Sequence, residues 1–175
     1  MIELDWIQKR RSIRKFTSEK VSNEQIRALL EAAMAAPSAV NLKPWKFVVV
    51  QREDLLASLK SALPFGKIDA PLAIVVCGDL RMLKKLVVES FWVQDCSAAT
   101  ENILLAATAM GLGSVWCGVH PIGTIEKAVR KALEIPTGVI PLNSIYIGHP
   151  AEEKPARTQY SSKNVFADKF GQVFE

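Results

Sequence analysis

Apolar positions along the chain follow two rhythms, a helical spacing and short unbroken runs. Ile26, Leu29, Leu30, Ala33 and Met34 recur at i, i+3, i+4, i+7 and i+8, the stripe of an amphipathic helix. Ser22 followed by Gln25 reads as a capping box at its start, and Pro37 ends it. Phe47-Val48-Val49-Val50 and Leu72-Ala73-Ile74-Val75-Val76-Cys77 are strand-length apolar runs, and both are predicted as buried strands. The longest helix is predicted over 93–110. Its broad face mixes alanines with Ile103, Leu104 and Leu105, which suits close helix contact, and Gly111 and Gly113 stop it. Shorter helices are predicted over 2–9, with Leu4, Trp6 and Ile7 near one face, and after Asp54. A further one is capped by Thr124, with Ile125, Val129, Ala132 and Leu133 inward and Pro136 as terminator. Residues 114–117 read as a short strand or turn, and 142–148 as another strand.

After residue 150 the character changes. The tail is polar, yet it carries Val165, Phe166, Phe170, Val173 and Phe174. Such residues need a surface to cover, either on the chain's own domain or on a partner subunit. The 175 residues are one domain's length, with no repeat and no low-complexity segment. Mean hydropathy is +0.14, on the apolar side for so small a chain, which points to surface buried between subunits. No apolar run is long enough to span a bilayer, and the first residues lack a signal-peptide pattern. Three cysteines without paired spacing read as reduced thiols in a cytoplasmic protein.

Charge adds one local feature. The 22 Lys and Arg nearly balance the 18 Asp and Glu, but Lys9, Arg10, Arg11, Arg14 and Lys15 fall within one heptad. Nucleic acid is not the expected partner, because no aromatic residues interleave with this cluster as a stacking platform would. The two histidines, His120 and His149, lie at no metal-ligand spacing from a Cys or a carboxylate, so no metal site is expected. No G-x-S-x-G elbow or P-loop occurs, and Gly111-Leu112-Gly113 fails the dinucleotide fingerprint at Trp116. Side chains alone therefore lack the actors for hydrolysis, and an enzyme built from this chain must lean on a bound cofactor.

Four segments remain. In Arg10-Arg11-Ser12-Ile13-Arg14-Lys15-Phe16, an extended backbone puts Arg10, Ser12 and Arg14 on one side, with Ile13 and Phe16 as anchors. Guanidinium forks and a hydroxyl suit a phosphate; a solvated basic turn is the plainer alternative. The stretch Pro37-Ser38-Ala39-Val40-Asn41-Leu42-Lys43-Pro44-Trp45 is a stiff loop able to approach a flat ring, or a simple helix-to-strand connection. The stretch 111–119 combines glycines with a helix end, leaving backbone N–H groups for a ligand. Cys117 lies within it, but no base stands near it in sequence to make it a nucleophile. Cys77 and Cys96 read as small apolar residues. Last, 147–157 leaves a strand end with Lys154 and Arg157, which could return to the anion of the first segment or form a solvated tail.

In this order the segments RRSIRKF, PSAVNLKPWKFVVV, WVQDCSAATENILLAATAMGLGSVWCG and IGHPAEEKPART resemble the nitroreductase-like flavoprotein family, over nearly the whole chain. The resemblance implies an α+β fold in which a central mixed β-sheet is flanked by helices and a C-terminal extension wraps the dimer partner. It implies one FMN-binding domain over 1–175, a homodimer with two interface FMN sites, and a tail over 151–175 lying on the partner. Matched to the family's positions, Arg10, Ser12 and Arg14, with Arg11 beside them, would hold the FMN phosphate and ribityl chain, and Arg157 would complete that seat. Pro37, Ser38 and Asn41 match the loop that the partner lays against the flavin ring, and Trp116, Cys117 and Gly118 match backbone donors near N5. Lys43 stands in that loop where many members have Gln, and Gln159 stands where a second basic residue often follows. The chain is also short, without the segments that roof the pocket in longer members. The implied activity is ping-pong transfer of hydride from NADH or NADPH through the flavin to a nitroaromatic or quinone, with no catalytic side chain. Flavin storage, flavin modification and dehalogenation are the alternatives within the family.

Overall fold

Strand β2 (Leu72–Asp79) is buried at all eight positions, because it has a strand on each side and helices over each face. The computed structural model describes residues 5–64, 67–82 and 90–174. The remaining strands are β1 (Trp45–Val50), β3 (Gly113–Gly118) and β4 (Val139–Gly148). The sheet order is β1-β2-β4-β3, and every neighbouring pair is antiparallel. A parallel bridge between Ser12 and Ser114 on the outer edge of β3 makes the sheet mixed.

Among the described residues five α-helices accompany the sheet: α1 (Asp5–Lys9), α2 (Asn23–Met34), α3 (Glu53–Ala62), α4 (Trp92–Ala109) and α5 (Gly123–Ala132). Helices α2 and α4 cover one face. Ile26, Leu29 and Ala33 meet Ala99, Ile103 and Ala107 over Leu72, Ile74, Ile145 and Ile147 of the sheet. Helices α3 and α5 cover the other face, where Leu59, Ile125 and Val129 meet Val75, Val115 and Tyr146. Each fully buried Leu or Ile contributes about 1.5–3 kcal/mol, so the two clusters dominate the stability.

The capping box at α2 is present in both directions, Gln25 N to Ser22 Oγ at 3.1 Å and Ser22 N to Gln25 Oε1 at 2.9 Å. Gly111 ends α4 with φ of 73°, a left-handed conformation that suits glycine. Three expectations need correction. Strand β1 is an edge strand, so Phe47 and Val48 are only half-buried and Val49 is 37% exposed. Helix α5 starts without the Thr124 hydroxyl: Ile122 is the N-cap, and its carbonyl accepts from Ile125 N and Glu126 N. Met34, on the last residue of α2, points to solvent instead of joining the helix stripe. In the helix predicted over 2–9, Trp6 and Ile7 are exposed, and residues 2–4 lie outside the described residues.

No helix among the described residues is long and apolar enough to cross a membrane. The tail leaves its aromatics in the open. Phe166 and Phe170 touch each other with ring centroids 4.5 Å apart, and Phe166 bridges to Val173, yet Phe170 is 93% exposed.

Candidate functional site

The basic segment lies along the outer edge of β3 because Ile13 is buried there and Ile13 N donates to Ser114 O at 2.9 Å. Burying Ile13 leaves Arg10 and Ser12 half-buried and Arg14 exposed. The chain end then returns over this segment. Thr17 N donates to His149 O, Ala151 N to Lys15 O and Arg157 N to Gln8 O, at 2.9, 2.9 and 3.1 Å. Glu152 Oε1 accepts from Arg14 N at 2.6 Å and from Lys15 N at 3.3 Å, and Lys154 Nζ lies 3.1 Å from it. The Arg14 amide, helped by Lys154, holds the Glu152 carboxyl below the usual carboxylate range.

These contacts assign several side chains. Lys154 donates to Ser12 O at 2.6 Å and Arg11 to Pro155 O, so both fasten the returning segment to the first one. Arg10 reaches Glu101 of α4 at 3.7 Å. Arg157 is anchored through its backbone, and its side chain is exposed. The convergence of residues 10–16 and 149–157 therefore forms within one chain.

The same strand supplies backbone donors. In an antiparallel strand, alternate residues turn both N–H and C=O to the same edge. Ser114 faces outward to Ile13, so Trp116 and Gly118 face outward as well, while Cys117 between them faces β4. Over the face of Gly118 there is open space: among the described residues, no atom apart from its chain neighbours lies within 4 Å of where a Cβ would stand. Trp116 is 37% exposed beside it. Behind this edge, Asn143 pairs with Gly118 across the strands and donates to Thr100 Oγ1 at 2.9 Å, tying β4 to α4. A lone Asn within a buried strand is the signal by which the sequence could have revealed it.

Cys117 turns its thiol into the α3–α5 core, where burial pushes it up against the lowering influence of Arg14. Cys77 and Cys96 are pushed up to about 12 by burial and stay neutral thiols. Among the described residues no group of three or more His, Cys, Asp or Glu side chains is placed to hold a metal ion.

The loop 37–44 is elsewhere. It joins α2 to β1 at the edge of the sheet farthest from β3. Asp95, in the first turn of α4, accepts from Ala39 N at 2.9 Å, and Ser38 Oγ accepts from Lys43 N at 3.0 Å. Asp95 and Glu101, the α4 contacts of the loop and of Arg10, point to different sides of the helix, about 120° apart at 100° per residue. One chain thus brings Arg10, Ser12, Arg14, Arg157, Trp116 and Gly118 to one edge, whereas Cys117, expected as a backbone donor beside them, turns its backbone to β4 and its thiol to the core. Pro37, Ser38, Asn41 and Lys43 lie on another side of α4, at the opposite edge of the sheet.

The donor set suits a dianionic headgroup attached to a flat heterocycle. Cations and a hydroxyl lie at one end of the β3 edge, and free backbone groups with open space lie at the other. These residues fit FMN.

The model of the Nitroreductase family matches residues 7–68 and 60–149. A protein of Methanothermobacter thermautotrophicus, provisionally named NADH dehydrogenase/NAD(P)H nitroreductase, is 42% identical over 169 residues, spanning 95% of this chain and 87% of that protein. An FMN-dependent nitroreductase from Clostridium difficile R20291 superposes with a TM-score of 0.86 at 32% identity, covering 95% of this chain and 99% of that one. A provisionally named nitroreductase from Desulfovibrio desulfuricans, crystallised in complex with FMN, gives 0.78 at 32% identity, covering 95% and 96%.

Proposed function

The chain belongs to the nitroreductase family, and from that premise we propose that it is an FMN-dependent oxidoreductase using NADH or NADPH. Its acceptor is a small molecule such as a nitroaromatic or a quinone. The observation that carries this reading is the meeting of the basic segment, the returning chain end and the open edge of β3 at one place. The crystallised relative with FMN supports the cofactor assignment.

In this reading Arg10, Ser12, Arg14 and Arg157 hold the phosphate, and the outward backbone groups of Trp116 and Gly118 orient the ring. Lys154, Glu152 and Arg11 hold the basic segment extended, so that Arg14 is aimed without a folding cost at binding. Bound FMN would supply the two-electron chemistry, taking hydride from the nicotinamide nucleotide and giving it to the acceptor in ping-pong order. The outward backbone N–H groups of Trp116 and Gly118 favour negative charge gathered on the ring, in a partly desolvated setting where such charge is strongly felt.

A second copy completes the site. Pro37, Ser38, Asn41 and Lys43 lie at the opposite edge of the sheet from the basic segment of their own chain, so they serve the flavin of the partner. The exposed Trp6, Ile7, Met34 and tail aromatics supply apolar surface for that contact. The test is the absorbance spectrum of the purified protein, followed by NADH or NADPH under anaerobic conditions. A flavin band that bleaches on addition and returns with a quinone supports the reading. Bound flavin that never bleaches points to storage instead. Colourless protein that stays so after soaking with FMN overturns it.

A further inference from the structure

Loop 37–44 keeps an unfavourable backbone. Val40, Asn41 and Lys43 have φ of 43°, 59° and 52°, in the left-handed region. For a β-branched residue such as Val40 this is a true outlier, and it persists only where the surroundings impose it. Val40 is 74% exposed, so packing does not impose it.

The bonds within the loop are local turns: Asn41 N to Ser38 O, Leu42 N to Ala39 O and Lys43 N to Ser38 Oγ. The exit is fixed by Asp79 N donating to Pro44 O at 2.8 Å. Among the described residues, the one side chain outside the loop that hydrogen-bonds to it is Asp95. It is 6% exposed, and its Oδ1 accepts from Ala39 N at 2.9 Å. A carboxylate is buried at such cost only where it has a partner, and this partner is the first amide of the strained turn.

We propose that Asp95 is a positioning residue of the flavin site: from the first turn of α4 it holds residues 38–43 in the strained form that is presented to the partner's flavin. The proposal rests on the functional reading above. It links the long helix directly to a loop that serves the neighbouring copy.

The experiment compares wild type, Asp95→Ala and Asp95→Asn as full-length protein. The clamp is read first without flavin, by amide hydrogen exchange over 39–42. Binding is then read by FMN fluorescence quenching and by the visible circular dichroism of bound flavin. Asp95→Ala is expected to speed exchange at Ala39 and to weaken FMN binding, each by about tenfold, the scale of a lost charged hydrogen bond. The flavin dichroism should change with it. Asp95→Asn keeps an acceptor oxygen and should stay within about threefold of wild type on both.

Should Asp95→Ala fail to fold, Ala39→Pro deletes the same bond from the loop side. Ala39 is the first residue of its helical turn, where proline is tolerated, and Ser38 before it is already extended at φ −142° and ψ 153°. The same weakening of FMN is expected. The inference is overturned if these variants bind FMN as wild type does, if Ala39 exchange is unchanged, or if Asp95→Asn falls as far as Asp95→Ala. Wild type that binds no FMN overturns the flavin reading itself, a result distinguishable from the others.

Discussion

The basic segment 10–16 and the loop 37–44 carry most of the side chains proposed for the flavin, yet their backbones are held in different ways. The basic segment is extended and pinned along its length by residues more than 100 positions away, among them His149, Glu152 and Lys154. The loop is short-range, made of turns that close on Ser38 and Ala39, with three residues in the left-handed region. The first segment needs the rest of the chain to take shape. The second stores strain locally and needs one carboxylate to keep it. A charged seat for a dianion can thus be assembled by convergence, whereas a close-fitting surface for a ring is assembled by constraint.

The largest effect is expected from removing the proposed phosphate contact. Arg14→Ala should weaken FMN binding by about 1.5–3 kcal/mol, the scale of charged hydrogen bonds, while leaving the fold intact because Arg14 is exposed. Equilibrium titration with fluorescence detection measures it, and full retention of flavin would remove the segment from the site. Ser38→Ala deletes the acceptor of Lys43 N and should cost about 1 kcal/mol of stability in chemical unfolding. An unchanged midpoint would mean that the loop is not held by its own hydroxyl.

Val40→Gly relieves the left-handed strain and should raise stability, by on the order of 1 kcal/mol, visible as a higher thermal midpoint. A lower midpoint would contradict the idea of stored strain. The smallest effect concerns the strap. The Glu152 carboxyl is lowered in the folded state, first by the Arg14 amide. Its contribution is therefore fully present above the unfolded value of about 4.3 and is lost as pH falls through the folded value. Glu152→Gln should flatten that acid limb of the stability–pH curve, and an unaltered acid limb would show that the strap contributes nothing through its charge.

Much of the scaffold was legible from periodicity. The α2 stripe, its capping box, the β2 run and the long α4 helix all lie where spacing placed them. The misreadings share a cause. Phe47-Val48-Val49-Val50 looks buried because its residues are apolar, but edge or centre is decided by strand order. Thr124 looks like a cap because of its hydroxyl, but the Ile122 carbonyl comes first. In the site, Arg10, Ser12 and Arg14 stood out as a charge cluster. Asp95 and Glu152 did not, since an acidic residue in a helix or a polar tail carries no sign of the amide it will meet.

Local interactions fall within a few residues of each other, so the helices, most of the strands and the ordered motifs that mark the family follow from residue order. Tertiary structure alone decided that the chain end crosses the basic segment, that β3 leaves an edge open, and that Asp95 lies under Ala39. Each of these depends on which distant elements become neighbours. That choice is made by burying the two faces of one sheet at once, and no local pattern encodes it.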